Sequence, residues 1–346
     1  MKRKIISFFS LLLALIMLLC SCAGKYDKIE PTEEDLRVVA TVKDCDIYYD
    51  ELYFSVMNTK VRMAQTYGID WNNEASAEEH REELYNRVLG GLRFNYAVQL
   101  LFGDSGYTLE DKNIQAATQN KIKALIDECG SRKDYVSYLE ENCLTDRVLR
   151  FNIAVSFASN ELIYALNDSG ALDEYISFDI SKINIDDTSN FSVTDYLAAL
   201  ELLYDGNILL RTEHIYFPNS IENVSDIALS AYWSVFYGEK SISDFVNAES
   251  GIVREEFYQV EGERNKIYYD AAMKLDEDDY ECIETENGWY LIHRLAPDMS
   301  YVNENYFDLI YSYISIKVNE KIEAYANTLE LNWTDFGKGL DFTKIK

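Results

Sequence analysis

The chain has 346 residues, 48% of them hydrophobic, so it can bury a sizeable core and is not globally disordered. Its 32 basic residues stand against 60 acidic ones, a net charge of −28. Such a surface repels nucleic acid and anionic lipid headgroups, which excludes both as partners. Three widely spread histidines, His80, His214 and His293, give no zinc-type spacing, and no EF-hand loop, P-loop, GxGxxG or GxSxG occurs. No cofactor is therefore expected.

Lys2, Arg3 and Lys4 precede an uncharged apolar run from Ile5 to Leu19. That run is shorter than the ~20 residues a spanning helix needs, and it reads as a secretory signal over residues 1–21. It ends in Leu19-Cys20-Ser21-Cys22-Ala23-Gly24, which resembles the lipobox of bacterial lipoproteins. The resemblance makes Cys22 the lipid-bearing first residue of the mature chain; Cys20, with bulky Leu19 before it, suits the role less well. A plain secreted protein cut nearby is the simpler alternative. The lipobox implies a chain held on the outer face of a bacterial membrane by its lipid anchor. Without Lys2, Arg3 and Lys4, 29 basic residues remain against 60 acidic ones, a mature charge of −31. Four later cysteines, Cys45, Cys129, Cys143 and Cys282, allow three disulfide pairings, and none forms a CxxC redox pair.

Residues 22–36 read as a polar, acidic tether. Val38–Val42 is a strand-type run, with a turn at Lys43–Asp46 and Ile47 beyond it. With no proline between Pro31 and Pro218, long helices can follow. The first is expected from about Asp50 to Tyr67, with Phe54, Met57, Val61 and Ala64 inward and a stop at Gly68. Ser76–Glu79 reads as a capping box ahead of the stripe Leu84, Val88, Leu92, Tyr96 and Leu100. Gly90 and Gly91 weaken that helix, so a close neighbour is expected there. Thr108, Ser131 and Thr145 are N-cap candidates for the next three helices, the last with Leu149, Ile153, Phe157 and Tyr164 inward.

Residues 167–193 read as a loose connection with a short strand at Tyr175–Ile180, followed by a helix at Thr194–Tyr204. The texture then changes to that of a small mixed unit. Strands are expected at Leu209–Phe217, Tyr280–Glu284 and Trp289–Leu295, and helices at Val224–Tyr237, Ile242–Ala248 and Lys266–Lys274. Asn287-Gly288 is a hairpin signal. Beyond Pro297 the positions Phe307, Ile310, Ile314, Val318, Ile322, Tyr325 and Leu329 mark one long helix. The N-terminal helices are its expected partner.

This layout resembles the PrsA-type foldase lipoproteins and the SurA chaperones, which carry a parvulin (PpiC-type rotamase) domain. The likeness rests on Val38–Val42 with Ile47, on Thr212-Glu213-His214-Ile215, on Ala271–Leu275 and on Gly288–Ile292. It implies an α+β fold. A mostly helical SurA-N-like chaperone domain (37–206) is completed by a C-terminal helix (298–346). Between them is inserted a parvulin-like domain (207–297) with a small antiparallel four-stranded sheet. It also implies peptidyl-prolyl isomerase chemistry and unfolded or newly exported polypeptides as partners.

Set against the family pattern, His214 matches the first expected histidine and Tyr290 stands where the second is expected. His293 falls on the opposite strand face from Tyr290. In Gly251–Phe257, Val253 replaces a polar pocket residue, and Arg264 and Tyr268 take apolar wall positions. His214, Tyr290 and Tyr268 are thus the candidate catalytic residues, though a strand histidine kept only for packing would leave the same fold. The competing readings are a non-catalytic holdase or scaffold of the cell envelope, and a solute-binding lipoprotein. The 27 tyrosines and 16 phenylalanines suit variable peptide contacts, and the acidic surface suits basic unfolded segments.

Overall fold

The structure, a computed structural model, describes Tyr26 and residues 28–185, 189–205, 208–263 and 265–346. The expected signal segment, Cys20, Cys22 and Arg264 lie outside the described residues. The chain divides into two compact units: residues up to Ala165 together with 320–346, and residues 166–319. Both are built as an α+β fold dominated by helices. Among the described residues no helix is long and apolar enough to cross a membrane.

The first unit opens with β1 (Val38–Val42) and β2 (Cys45–Tyr48), paired antiparallel through a tight turn at Lys43, whose φ is 48°. Six helices follow: α1 (Tyr49–Tyr67), α2 (Glu74–Glu79), α3 (Arg81–Asp104), α4 (Lys112–Cys129), α5 (Arg132–Glu141) and α6 (Asp146–Asp168). Gly68 ends α1 in the left-handed region at φ 69°, returning its N–H to the Ala64 carbonyl.

Which face α1 buries departs from its apolar spacing. Leu52, Val56 and Met63 lie in the core, whereas Val61 is exposed and Phe54, Met57 and Ala64 are half-buried. The reason is electrostatic. Asp50 and Glu51 are buried on the core side because Arg147 of α6 reaches both, its Nε lying 3.0 Å from Asp50 Oδ2 and its Nη2 2.7 Å from Glu51 Oε1. Thr145 Oγ1 (2.8 Å) and Tyr96 OH (2.7 Å) complete the shell around the two carboxylates. Burial raises the Glu51 carboxyl pKa, and Arg147 and Tyr96 oppose that rise.

Other local expectations also shift. Asn73, not Ser76, caps the short α2, accepting from the N–H groups of Ala75 and Ser76. The next helix starts at Lys112 because Thr108 is spent on Asp111, donating to it from both N–H and Oγ1. Ser131 and Thr145 do cap, accepting from Asp134 N and Val148 N. On α6 the fully buried face is Val148, Ala154, Ala158 and Leu162, and Leu149, Ile153, Phe157 and Tyr164 are half-buried beside it. Gly90 and Gly91 have no close neighbour: a Cβ added at either would meet nothing within 4 Å. Cys45, Cys129, Cys143 and Cys282 are all free thiols.

The chain's end completes this unit. β7 (Asn332–Trp333) pairs with β1, giving a sheet of order β2-β1-β7, and Thr334 N–H donates to the Val39 carbonyl at 3.0 Å. Gly337 in the following α11 (Asp335–Lys338) lets two backbones meet, since a Cβ there would stand 2.0 Å from Val39 O. Phe342 stacks on Tyr85 of α3 with ring centres 4.0 Å apart, and Asp341 takes two 3.1 Å hydrogen bonds from Arg81.

In the second unit, residues 169–185 and 189–192 are largely irregular yet apolar inside. Leu172, Ile176, Phe178, Ile180 and Ile183 are buried. The expected strand at Tyr175–Ile180 does not form; Asp179 caps a 3-10 turn at Ile180–Lys182 instead. Then come α7 (Val193–Asp205), β3 (Leu209–Pro218), α8 (Val224–Phe236), β4 (Val253–Val260), α9 (Lys266–Lys274), β5 (Tyr280–Thr285), β6 (Gly288–Leu295) and α10 (Met299–Thr328). The four strands make one antiparallel sheet of order β4-β3-β6-β5. The β5–β6 loop is Glu286-Asn287, with Thr285 paired to Gly288. Gly288 has no room for a side chain, since its Cβ would lie 2.4 Å from Phe217 O.

The stripe along α10 is divided. Val302 to Val318 belongs to this unit, where Tyr306 OH donates to the Ile183 carbonyl at 2.5 Å and packs edge-on against Tyr196 of α7. Ile322 and Ala326 belong to the first unit.

Candidate functional site

Strand alternation sorts the sheet into two faces. On β3, Leu210, Thr212, His214 and Tyr216 share one face with Tyr290 and Ile292 of β6 and with Phe257, Glu255 and Val253 of β4. Helix α9 covers it, since Asn265 caps its start by accepting from Ile267 N at 2.8 Å and its Tyr268, Tyr269 and Ala272 pack inward. Tyr216 pairs with both Val253 and Tyr290, so one row of this face carries Val253, Tyr216 and Tyr290.

His214 is 2% exposed, and its Nδ1 lies 3.1 Å from the Tyr268 hydroxyl. That hydroxyl also reaches Thr212 Oγ1, at 3.1 Å. Three rings stand edge-on to the imidazole: Phe257 and Tyr268, each with its centre at 5.4 Å, and Tyr290 at 5.0 Å. Glu255, across the strand pair, has a carboxylate oxygen 3.9 Å from His214 Nε2.

Beside this cluster opens a cavity of about 170 Å³ lined by Asn265, Tyr268, Thr285, Asn287 and Tyr290. The hairpin holds its far wall in place: Tyr216 OH donates to the Asn287 carbonyl at 2.6 Å and Thr285 Oγ1 to the Gly288 carbonyl at 2.9 Å. The lining therefore mixes two aromatic faces with hydroxyl and carboxamide groups. It suits a small ring and a neutral amide rather than a metal, and among the described residues no cluster of His, Cys, Asp and Glu could hold one.

The three candidates named from sequence meet here: His214, Tyr268 and Tyr290 are mutual neighbours. They differ in position, because Tyr268 and Tyr290 line the cavity and His214 stands behind Tyr268. Val253 lies at the exposed end of β4, 39% accessible, and adds no polar group. His293 is on the other face. There its Nδ1 meets Glu213 Oε1 at 2.8 Å, Arg254 Nε donates to Glu213 Oε2 at 2.6 Å, and Tyr280 stacks on the imidazole at 4.1 Å. Cys282 also faces that side, its thiol pushed up to about 12 by burial. Sequence reading missed Thr212, Glu255, Phe257, Asn265, Thr285 and Asn287. For Thr212 the signal was present, two residues before His214.

No protein-family model matches the chain, and no curated protein matches it. Solved structures do. The foldase protein PrsA from Streptococcus pneumoniae is 14% identical over 89% of this chain and 99% of that one, at a TM-score of 0.28. A peptidylprolyl isomerase (PrsA) from Bacillus anthracis is 12% identical over 67% and 95%, at 0.32. A structure of the SurA-like chaperones PEB4 and Cj1289 of Campylobacter jejuni is 10% identical over 86% and 99%, at 0.30. Over most of its length the chain is thus similar to PrsA foldases and SurA-like chaperones, at low identity and low TM-score.

Proposed function

We propose that this chain is an extracytoplasmic folding factor, tethered through a lipid on Cys22, that binds newly exported polypeptides and isomerises their X–Pro bonds in the pocket between α9 and the sheet. One observation carries the reading: a small cavity walled by Tyr268 and Tyr290, with Tyr268 braced from behind by His214. Rotation about a peptide bond meets a barrier of ~18–20 kcal/mol because it breaks amide resonance. The twisted amide has a less conjugated, more basic nitrogen, which a phenol O–H beside the cavity can meet. Aromatic faces hold the proline ring. No covalent bond is made or broken and no cofactor is called for. In this scheme Tyr268 and Tyr290 touch the substrate and His214 is a positioning residue.

The test is a prolyl-isomerisation assay on a short peptide. Wild type should accelerate exchange, Tyr290→Phe should abolish the gain, and His214→Ala should reduce it. No acceleration in wild type ends the isomerase reading. If Cys22 carries lipid, Cys22→Ala releases the protein to the medium or blocks signal removal, and unchanged membrane retention counts against the anchor.

A non-catalytic holdase is the second reading. It is favoured by a His214 that is buried and absent from the cavity lining, and by an exposed aromatic patch of Trp233, Phe236 and Tyr237 at the C-terminal end of α8. Suppressed aggregation of a denatured secreted protein separates it from a scaffold, which should suppress none. A solute-binding lipoprotein needs two α/β lobes, whereas the described residues form a mostly helical unit with a small three-stranded antiparallel sheet and one with a four-stranded antiparallel sheet.

A further inference from the structure

A second cavity lies within the first unit, among α1, α3 and α6, with a volume of about 250 Å³. Small-molecule clefts run from about 300 to 1,000 Å³, so this one fits a side chain or two rather than a cofactor. We propose that it takes an extended stretch of unfolded polypeptide, with an apolar side chain held among Phe54, Leu92 and Phe151 and backbone amides met by Asn58, Asn95 and Asn152. The proposal rests on the polypeptide-binding reading above and assigns that binding to a place distinct from the α9 pocket.

Four features point to this ligand. Each carboxamide offers both a donor and an acceptor, as a peptide group does, and selects no particular sequence. The Asn95 to Asn152 contact is long, 3.4 Å, and easily exchanged for a hydrogen bond to a peptide. The charged groups lining the cavity are Glu51, Arg62 and Arg87; Glu51, the one acid, is already matched by Arg147 and Tyr96, so a basic side chain finds no open partner there. The fourth feature is Gly91. It lines the cavity from an exposed helical position where a Cβ would meet nothing within 4 Å, so no neighbour in this unit requires a glycine. A side chain there would stand in the cavity.

The experiment is fluorescence anisotropy of the full mature chain with a fluorescein-labelled Gly/Ser peptide carrying a central Leu-Phe-Leu, against a control peptide with serines in those places. Gly91→Leu, and Asn95→Ala with Asn152→Ala, should each weaken binding of the apolar peptide by about tenfold. The serine peptide should bind weakly to all three proteins. Leucine is the better helix former, so Gly91→Leu keeps the fold, as circular dichroism will register. Wild-type affinity in both cavity variants overturns the proposal and leaves the folding-factor reading standing. Failure of wild type to bind the apolar peptide overturns both.

Discussion

The imidazole of His214 and the phenol of Tyr268 meet at 3.1 Å in the interior of the second unit, and the phenol also reaches Thr212 Oγ1 at the same distance. Strand β3 and helix α9 are thereby joined by a short polar chain inside an otherwise apolar layer. Tyr268→Phe keeps the ring and removes one hydrogen bond from each of two buried groups. The expected cost is ~1–3 kcal/mol, read from urea unfolding with an unchanged m-value. A variant as stable as wild type would mean that the chain of hydrogen bonds holds nothing in place.

In the first unit the corresponding polar device is ionic. Arg147 serves two carboxylates, Asp50 and Glu51, which are 3% and 4% exposed. Arg147→Ala strands both charges away from water, and the expected loss is about 3–5 kcal/mol, much of it the penalty of the abandoned carboxylates. Replacing Asp50 and Glu51 by their amides in the same variant should recover part of that loss. A loss below about 1 kcal/mol in the single variant would place the network among the weak surface pairs.

The same residues explain what the sequence could and could not reveal. Strands β3, β5 and β6 and helix α9 were legible because β-branched and aromatic runs end at turn residues such as Asn287-Gly288. Strand β4 was not, since Arg254, Glu255 and Glu256 break any apolar alternation; its charges pair across strands, as Arg254 does with Glu213 and Glu256 with Arg211. The inward face of α1 was misread because a buried ion triad overrode apolar spacing, and the partner that makes Asp50 buriable lies nearly a hundred residues away in sequence. At the site, His214, Tyr268 and Tyr290 came from a family pattern. Asn265 and Thr285 carry no such mark, and only the close approach of the hairpin to α9 brings them in.

Gly90 offers a cleaner test of helix energetics. It is exposed in the middle of α3, it does not line the neighbouring cavity, and a Cβ there is unopposed. Gly90→Ala should stabilise the protein by roughly 0.5–1 kcal/mol, through helix propensity and a less free unfolded chain. The measurement is the denaturant midpoint at constant m. A destabilised variant would reveal a neighbour packed on this face.

Glu213 sets the sign of one acid-side dependence. Its carboxyl is held below the usual glutamate range, first by the hydrogen bond from His293 and then by Arg254, with burial opposing both. A carboxylate whose folded pKa is depressed contributes stability that is fully present above its unfolded value, about 4.3, and is lost as pH falls through the lower folded value. Between those two points the unfolded chain binds more protons than the folded one, so stability must rise with pH. Glu213→Gln removes that titration, so its stability should fall less steeply than wild type as pH drops below about 4.3. Unfolding free energies measured across that limb decide the matter: parallel curves for the two proteins would mean that the carboxylate gains nothing from His293 and Arg254 on folding.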